Sequence, residues 1–492
     1  MADQYDTDLQ SIQEARRLAV AAREAQRAFF GFTQEQVDRI CAAMADAAYR
    51  ESERLARMAV EETDYGNVPH KIVKNQFASR DVWESIRNVK TVGVIRRDEE
   101  RKVVEIGWPV GVIAALTPST NPTSTAMFKV LISVKARNAI VLAPHPAAVK
   151  CSVETTRIMA EAGEAQGMPK GLVSCMTKIS LPGTQELMRH YAVSLILATG
   201  GAAMVKAAHS VGKPAYGVGP GNVPCYVDRS ADIVKAARDI VNSKSFDNSV
   251  LCSTEQAVVA DKPIAAQLAS EMEKNGAYFV NKSQADALGK VLFFPDGTIN
   301  PKSVGKNPQR LAEMAGIQVP PQARILVARL DGVGAAYPLS REKLTTVMGW
   351  YEEEGWRAGC ERCIEILKFG GDGHTLVIHA RDEQVILAFG LEKPAFRIVV
   401  NTLATLGSVG GTTGLMPSMT LATGGIGGSV SSDNITVYHV LNVKRLAYET
   451  KPAPAAVTSP IVTAATPAPA GQPLSDQDIE AIVRRVMTQI GR

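Results

Sequence analysis

The chain has no apolar run long enough to cross a bilayer, no block of lysine and arginine, and no charged leader with an apolar core behind Met1-Ala2-Asp3-Gln4. The first absence argues against a membrane span. The second gives no electrostatic reason to expect nucleic acid or an anionic membrane as partner, and a formal charge of +4 over 492 residues adds none. The third argues against secretion. A disulfide framework is missing as well: seven cysteines, at positions 41, 151, 175, 225, 252, 360 and 363, form an odd, scattered set that fits a reducing compartment. What is present is an ordinary globular composition, 46% hydrophobic and 21% charged, with length for two or three domains. A cytoplasmic enzyme is the expectation.

Residues 8–62 carry apolar positions at helical spacing among many Ala, Arg and Glu, and residues 101–106 read as an exposed strand. From 110 short apolar runs alternate with amphipathic stretches: strand 110–116, helix 123–136, strand 139–143, helix 147–166, then 172–178, 185–191, 193–198 and 202–210. This alternation predicts a parallel sheet wrapped by helices, with ligands outside the carboxyl ends of the strands, where 117–122, 144–146 and 199–201 lie. A second α/β region over 223–420 places Cys252 on the loop before a strand at 256–260 and supplies the other wall of a cleft. Strand-like alternation over 428–446 is a natural partner for the strand near 103, in an arm of the kind that builds oligomers.

A lone cysteine among seven reads as a core residue, and only its surroundings raise Cys252, in Phe246-Asp247-Asn248-Ser249-Val250-Leu251-Cys252-Ser253-Thr254-Glu255-Gln256. That run follows, in order and spacing, Thr117-Pro118-Ser119-Thr120-Asn121-Pro122-Thr123-Ser124, Asn138-Ala139-Ile140-Val141 leading to Pro144-His145-Pro146, Ala198-Thr199-Gly200-Gly201 and Gly217-Val218-Gly219-Pro220-Gly221-Asn222. Gly373-His374-Thr375 and Gly424-Gly425-Ile426-Gly427-Gly428 come after it. The set resembles the aldehyde dehydrogenase superfamily over residues 8–450, and within it the CoA-acylating branch.

The resemblance implies an α/β fold of two Rossmann-type domains with a small β oligomerisation arm. Its parts would be a NAD/CoA-binding domain over 1–222 with 95–110 lent to the arm, a catalytic domain over 223–427, and an oligomerisation strand over 428–450. Cys252 would be the nucleophile that adds to an aldehyde carbonyl, and Asn121 the donor that meets the alkoxide. A side-chain amide and a backbone N–H are what a tetrahedral intermediate requires, each worth about 3 kcal/mol. By itself Asn121, ahead of Pro122, is also an ordinary turn residue. NAD is implied by family: Thr117, Pro118, Pro144, His145, Pro146, Thr199, Gly200, Gly201, Gly219 and Glu342 are the candidate cofactor contacts, with Glu342 at the nicotinamide ribose. Thr199-Gly200-Gly201-Ala202 can bring a pyrophosphate to a helix N-terminus, although it is not G-x-G-x-x-G. NAD is preferred to NADP because Pro144-His145-Pro146 lacks the lysine with which many relatives approach the adenosine ribose.

One departure decides the acceptor. Hydrolytic members place a Glu just before their glycine pair, where this chain has Val218, Gly219 and Pro220. Water loses its base, and coenzyme A becomes the expected acceptor, binding after NADH has left. His374 is the candidate to take the CoA proton or touch the acyl thioester. Cys360-Glu361-Arg362-Cys363 has no second pair to complete a metal set and reads as helix cysteine, so no metal is expected. A hydrolytic aldehyde dehydrogenase, and a non-catalytic scaffold recruiting partners through its tail, are the alternatives. The aldehyde is short, propanal or acetaldehyde, with propanal preferred.

Residues 452–473 carry no charge and are mostly Pro, Ala, Thr and Val, the composition of an extended tether. Beyond it, Ser475 and Asp478 open a helix with Ile479, Ile482, Val483, Val486 and Ile490 on one face. Such a helix seeks a groove. It resembles the encapsulation peptides of bacterial microcompartment cargo, and docking on its own oligomer, a dimer or tetramer, is the plainer reading.

Overall fold

The structure is a computed structural model that describes residues 6–454 and 475–490; the tether thus falls almost wholly outside the described residues. Two parallel sheets organise it. In the first, the strands run in the order Val173–Cys175, Ala139–Pro144, Val112–Thr117, Val193–Thr199, Ala215–Val218. The second has seven: Ala277–Val280, Ile325–Arg329, Val347–Glu353, Glu255–Asp261, Val223–Val227, Leu376–His379 and Ile398–Val400. Val112–Thr117, Ala139–Pro144 and Glu255–Asp261 are buried at every position, as expected of strands covered by helices on both faces.

The helix Pro122–Lys135 is buried on all sides, so the amphipathic pattern expected there gives way to an interior helix. Its Lys129 reaches along the sheet to donate to the carbonyls of Leu116 (2.6 Å) and Leu197 (2.9 Å), pinning two strand ends beside the site. The N-terminal helices Thr7–Phe29, Gln34–Arg50 and Ser52–Thr63 pack on this unit through small residues such as Ala15, Ala19 and Ala22, which let backbones approach closely.

A third, antiparallel sheet joins Gly93–Asp98, Val103–Pro109 and Leu441–Ala447, with Val103 opposite Ala447 and Pro109 opposite Leu441. The expected pairing of the early and late strands is therefore present. Two details differ. Val104 and Ile106 are buried, so the early strand is the half-covered centre of the sheet, not an exposed ribbon. Residues 428–440 are not strand: a capping box between Thr436 and His439 turns Val437–Val440 into a 3-10 helix, and extension begins only at Leu441. The chain also rejoins the first unit earlier than 427, since Val409, Met419, Leu421, Ala422 and Ile435 lie in the same core as Val112–Leu116.

The tail helix Asp476–Ile490 rests on the chain's own body. Asp476 pairs with Arg97 at 2.6 Å, Ile479 is buried, and Ile479 and Val483 border a cleft with Phe30, Phe32, Trp108 and Arg137. Ile482 and Val486 face outward. Among the described residues no helix is long and apolar enough to cross a membrane.

Candidate active site

Loops from the carboxyl edge of the first sheet meet loops from the amino edge of the second around a cavity of about 410 Å³. The first sheet contributes Pro118–Asn121 after Val112–Thr117, His145 after Ala139–Pro144, Thr199–Gly201 after Val193–Thr199, and Val218–Pro220 at the end of Ala215–Val218. The second contributes Val250–Ser253 ahead of Glu255–Asp261, and Glu342 and Leu344 ahead of Val347–Glu353. Cys252, Asn121, Pro118, His145, Thr199, Gly200, Gly201, Gly219 and Glu342 thus share one wall system. Thr117 and Pro144 end their strands just behind it, Pro146, itself exposed, opens the 3-10 turn after His145, and His374 does not line the cavity.

Cys252 follows a turn of unusual backbone. Asp247, Asn248 and Ser249 take φ of 48°, 50° and 68°, a left-handed run that non-glycine residues avoid. Buried hydrogen bonds hold it. The Asp247 N–H donates to His70 Nδ1 (2.8 Å), its carboxylate accepts from Asn67 N–H (2.8 Å), and Asn248 Nδ2 donates to the Gly305 carbonyl (2.9 Å). The carboxylate also accepts from Lys71 Nζ at 3.1 Å and from Lys74 Nζ. Burial alone would raise this carboxyl, and the two lysines bring it below the usual range.

Burial pushes the Cys252 thiol up to about 12 and the Glu342 carboxylate adds to the rise, while the Arg397 guanidinium and the N–H groups of Cys252 and Ser253 oppose it. In the resting site the sulfur is therefore held as a thiol at pH 7. Nucleophilic chemistry here needs a proton acceptor.

Asn121 ends its loop at the amino end of the buried helix Pro122–Lys135. Its Nδ2 donates to the Val250 carbonyl (3.2 Å) and to Thr120 Oγ1 (3.1 Å), and its Oδ1 accepts from Lys74 Nζ. The NH₂ end thus points at the loop that carries Cys252.

The absence of a carboxylate from Val218–Gly221 is offset from across the cavity. Glu342 Oε1 accepts the Gly221 N–H at 3.1 Å, and burial raises the Glu342 carboxyl to about 7 against the pull of that N–H, Lys244 and Lys343. It is the one Asp or Glu among the cavity residues described. His374 lies behind Gly221: a Cβ on that glycine would come within 2.4 Å of the Cys252 carbonyl oxygen and 3.0 Å of the imidazole Cγ. Its Nδ1 is 2.9 Å from Thr375 Oγ1, its Nε2 has no partner among the described residues, and burial lowers it to about 3. A neutral imidazole out of the cavity is poorly placed to receive a proton from a ligand.

The helix Ala202–His209 begins at Gly201 with no side-chain cap, and nothing lies within 4 Å of where a Gly201 Cβ would sit. Its first amides are open to an anion beside Thr199–Gly201, which fits a dinucleotide pyrophosphate. Cys360 and Cys363 are buried in the helix Gly355–Lys368, where the Cys360 thiol donates to Glu392 Oε2 at 3.4 Å. Tyr65, Lys71, Lys74 and Asp247 escaped sequence reasoning. The lysines sit three apart on one helix face and Asp247 five before Cys252, but a charged helix face is ordinarily solvated, and nothing local marks these as buried.

Residues 5–285 match the aldehyde dehydrogenase family. The chain is 42% identical over 425 residues to aldehyde-alcohol dehydrogenase 2 of Entamoeba histolytica, a match covering 85% of this chain and 49% of that protein. It spans about half the length of the aldehyde-alcohol dehydrogenases it matches. An acetylating aldehyde dehydrogenase from Geobacillus thermoglucosidasius superposes with a TM-score of 0.90 at 50% identity, over 91% of this chain and 99% of that one. Two propionaldehyde dehydrogenases superpose over most of both chains. The Rhodopseudomonas palustris structure, with bound CoA and an acylated cysteine, has a TM-score of 0.81 at 28% identity and covers 88% and 97%. That from the Clostridium phytofermentans fucose utilisation microcompartment has 0.79 at 30% and covers 87% and 96%.

Proposed function

The chain belongs to the aldehyde dehydrogenase family, and on that premise we propose that it oxidises a short-chain aldehyde with NAD and passes the acyl group to coenzyme A. One observation carries the reading: Cys252 and Asn121 line one cavity, with Asn121 Nδ2 held against the Val250 carbonyl two residues before Cys252, and the glycine loop of that cavity brings no carboxylate of its own. The Cys252 thiol gives up its proton to water in the cavity as the sulfur bonds to the aldehyde carbon. The carbonyl oxygen takes the electron pair and is met by Asn121 Nδ2 and the Cys252 N–H. NAD, when bound with its pyrophosphate at the Ala202 helix and its ribose against Glu342, supplies the hydride acceptor. What stays behind is a thioester on Cys252, the state in which the Rhodopseudomonas palustris relative carries an acylated cysteine.

CoA then enters the space NADH has left. Its thiol loses a proton, its sulfur attacks the thioester, the oxyanion forms again in the same place, and the bond to Cys252 breaks as that sulfur receives the proton taken from CoA. Glu342, rather than His374, takes the CoA proton, because it faces the cavity and its carboxyl is poised near 7. It serves a ribose in the first half of the cycle and a thiol in the second.

Propanal and acetaldehyde are the substrates proposed, with propanal first because the superposed relatives include two propionaldehyde dehydrogenases. A product assay tests the whole. NADH formation is expected to match acyl-CoA formation and to stall after one turnover without CoA; free acid made at the full rate without CoA would establish the hydrolytic reading instead.

The tail is read as an address that docks in a microcompartment, supported by its separate helix, its outward Ile482 and Val486, and the microcompartment origin of one relative. The arm edge Leu441–Ala447, exposed at most positions and paired on one side, suits a second copy of the chain in a dimer or tetramer.

A further inference from the structure

An asparagine amide can present either its oxygen or its NH₂ to a reacting group, and only one of these stabilises an oxyanion. The side chains around Asn121 decide which. On one side the Val250 carbonyl and Thr120 Oγ1 accept from Nδ2 at 3.2 Å and 3.1 Å, and the Thr120 hydroxyl is the partner that gives way when Nδ2 donates to a substrate oxygen. On the other, Lys74 Nζ donates to Oδ1 and in the same place to Asp247 Oδ2. Asp247 belongs to the left-handed turn that carries the chain into Cys252, and Lys74 to the helix Val68–Gln76, an element that lends no other side chain to the catalytic groups. Lys71, one turn earlier, donates to the same Asp247 oxygen (3.1 Å) and to the Thr120 carbonyl (3.0 Å), so the pair of lysines ties the asparagine loop to the cysteine turn at two points.

We infer that Lys74 is a positioning residue for the oxyanion site, holding the Asn121 amide with its NH₂ end toward the carbonyl oxygen that Cys252 attacks. The inference rests on the acyl-transfer reading given above and adds to it a residue that touches neither substrate nor cofactor. Its physical content is a rotation. Turning the amide by 180° would take Oδ1 away from the Lys74 Nζ donor and set it against the Val250 carbonyl, so the two partners select one orientation jointly, most firmly while Lys74, lowered by burial to about 7 against the pull of Asp247, is protonated. Without Lys74, Oδ1 loses a buried donor, the amide is held from one side only, and the alternative orientation turns a lone pair toward the developing charge.

The test is a double-mutant cycle on the rate of the first turnover, read as the NADH burst with saturating aldehyde and NAD. Loss of one oxyanion donor costs about 10²- to 10³-fold. Asn121→Ala is expected to show that loss, and Lys74→Met a loss of about 10- to 100-fold with the aldehyde KM within about threefold. In the Asn121→Ala background Lys74→Met should cost less than about threefold more, because the group it positions is gone. Losses that multiply in the double variant would overturn the inference, since a general structural defect acts whether or not the amide is there. Lys74→Gln keeps a donor to Oδ1 without the charge and guards against an unfolded Met variant. It is expected to hold the burst rate within about fivefold, and a fall equal to that of Asn121→Ala, at an unchanged melting midpoint, would also overturn the inference. An Asn121→Ala enzyme with the full burst rate would refute the oxyanion assignment itself, a result distinct from either.

Discussion

Replacing Glu342 with Gln should give an enzyme that is more stable and less active. Gln keeps an oxygen that can accept the Gly221 N–H, held at 3.1 Å in the parent, so the loop geometry is retained while the charge is lost. In the folded protein the carboxyl is raised from 4.5 to about 7, chiefly by burial. The native state therefore binds more protons than the unfolded chain between those values. The sign follows: stability from this site is greatest below pH 4.5 and declines as pH climbs through 7. At pH 8 the accumulated penalty is on the order of 3 kcal/mol, and Gln relieves most of it. Activity moves the other way. Only the ionised carboxylate accepts the CoA proton, so parental turnover should rise with pH through about 7. Gln should abolish that limb and lower steady-state turnover by about 10²- to 10⁴-fold, the usual worth of a placed base. The NADH burst should survive as acyl-enzyme accumulates. Removing the carboxylate also withdraws one cause of the raised Cys252 thiol, so alkylation of Cys252 by iodoacetamide at fixed pH should accelerate. Stopped-flow bursts, pH–rate profiles and thermal melts at pH 5 and pH 8 supply the measurements. Turnover within about threefold of the parent, with the limb near pH 7 intact, would refute the proton-acceptor role.

Cys252→Ala is expected to form no NADH from aldehyde while keeping the parental melting curve to within a few degrees, and turnover above about 1% of the parent would remove the nucleophile from the scheme. Gly221→Ala places a Cβ 2.4 Å from the Cys252 carbonyl oxygen and 3.0 Å from the His374 ring; crowding of that kind should cost about 1–3 kcal/mol in denaturant unfolding and lower kcat at least tenfold. Ile479→Asp puts a charge where the tail meets its own body. It should leave kcat and KM unchanged while speeding amide exchange over 476–486, and unchanged exchange would show that the contact with Phe30 and Trp108 contributes nothing.

Most of the first sheet was legible because its strands are buried on both faces and so appear as apolar runs between helical stretches, whereas in the second sheet only the strand at 256–260 was. Val112–Thr117, Ala139–Pro144, Val193–Thr199 and Glu255–Asp261 all lie within two residues of expectation. Legibility failed where periodicity misleads. Ile435, Val437 and His439 alternate as a strand would, yet the Thr436–His439 capping box bends them into a turn, and alternation cannot report a hydrogen bond. In the site, Cys252 and Asn121 could be read from their motifs and Glu342 as a ribose contact from the resemblance, whereas the approach of Glu342 to Gly221 could not. Glu342 lies 121 residues further on and reaches the loop only through the sheet order. Reading the loop alone suggested a cavity without a carboxylate. Lys74 and Asp247 were hidden for a related reason: a buried ion pair between remote residues has the local sequence of a surface one.

The first sheet ends at Val218 and the second begins at Val223, so a short strap of Gly219, Pro220, Gly221 and Asn222 is the first of two covalent links between them, the chain returning after Val400, and two of these residues also form the cavity wall. The strap is tied to Glu342 through the Gly221 N–H and runs so near the cysteine loop that a Cβ on Gly221 would fall 2.4 Å from the Cys252 carbonyl oxygen. Acid and cysteine loop are therefore gauged from one short piece of backbone, so a change in the strap would alter the spacing of both at once.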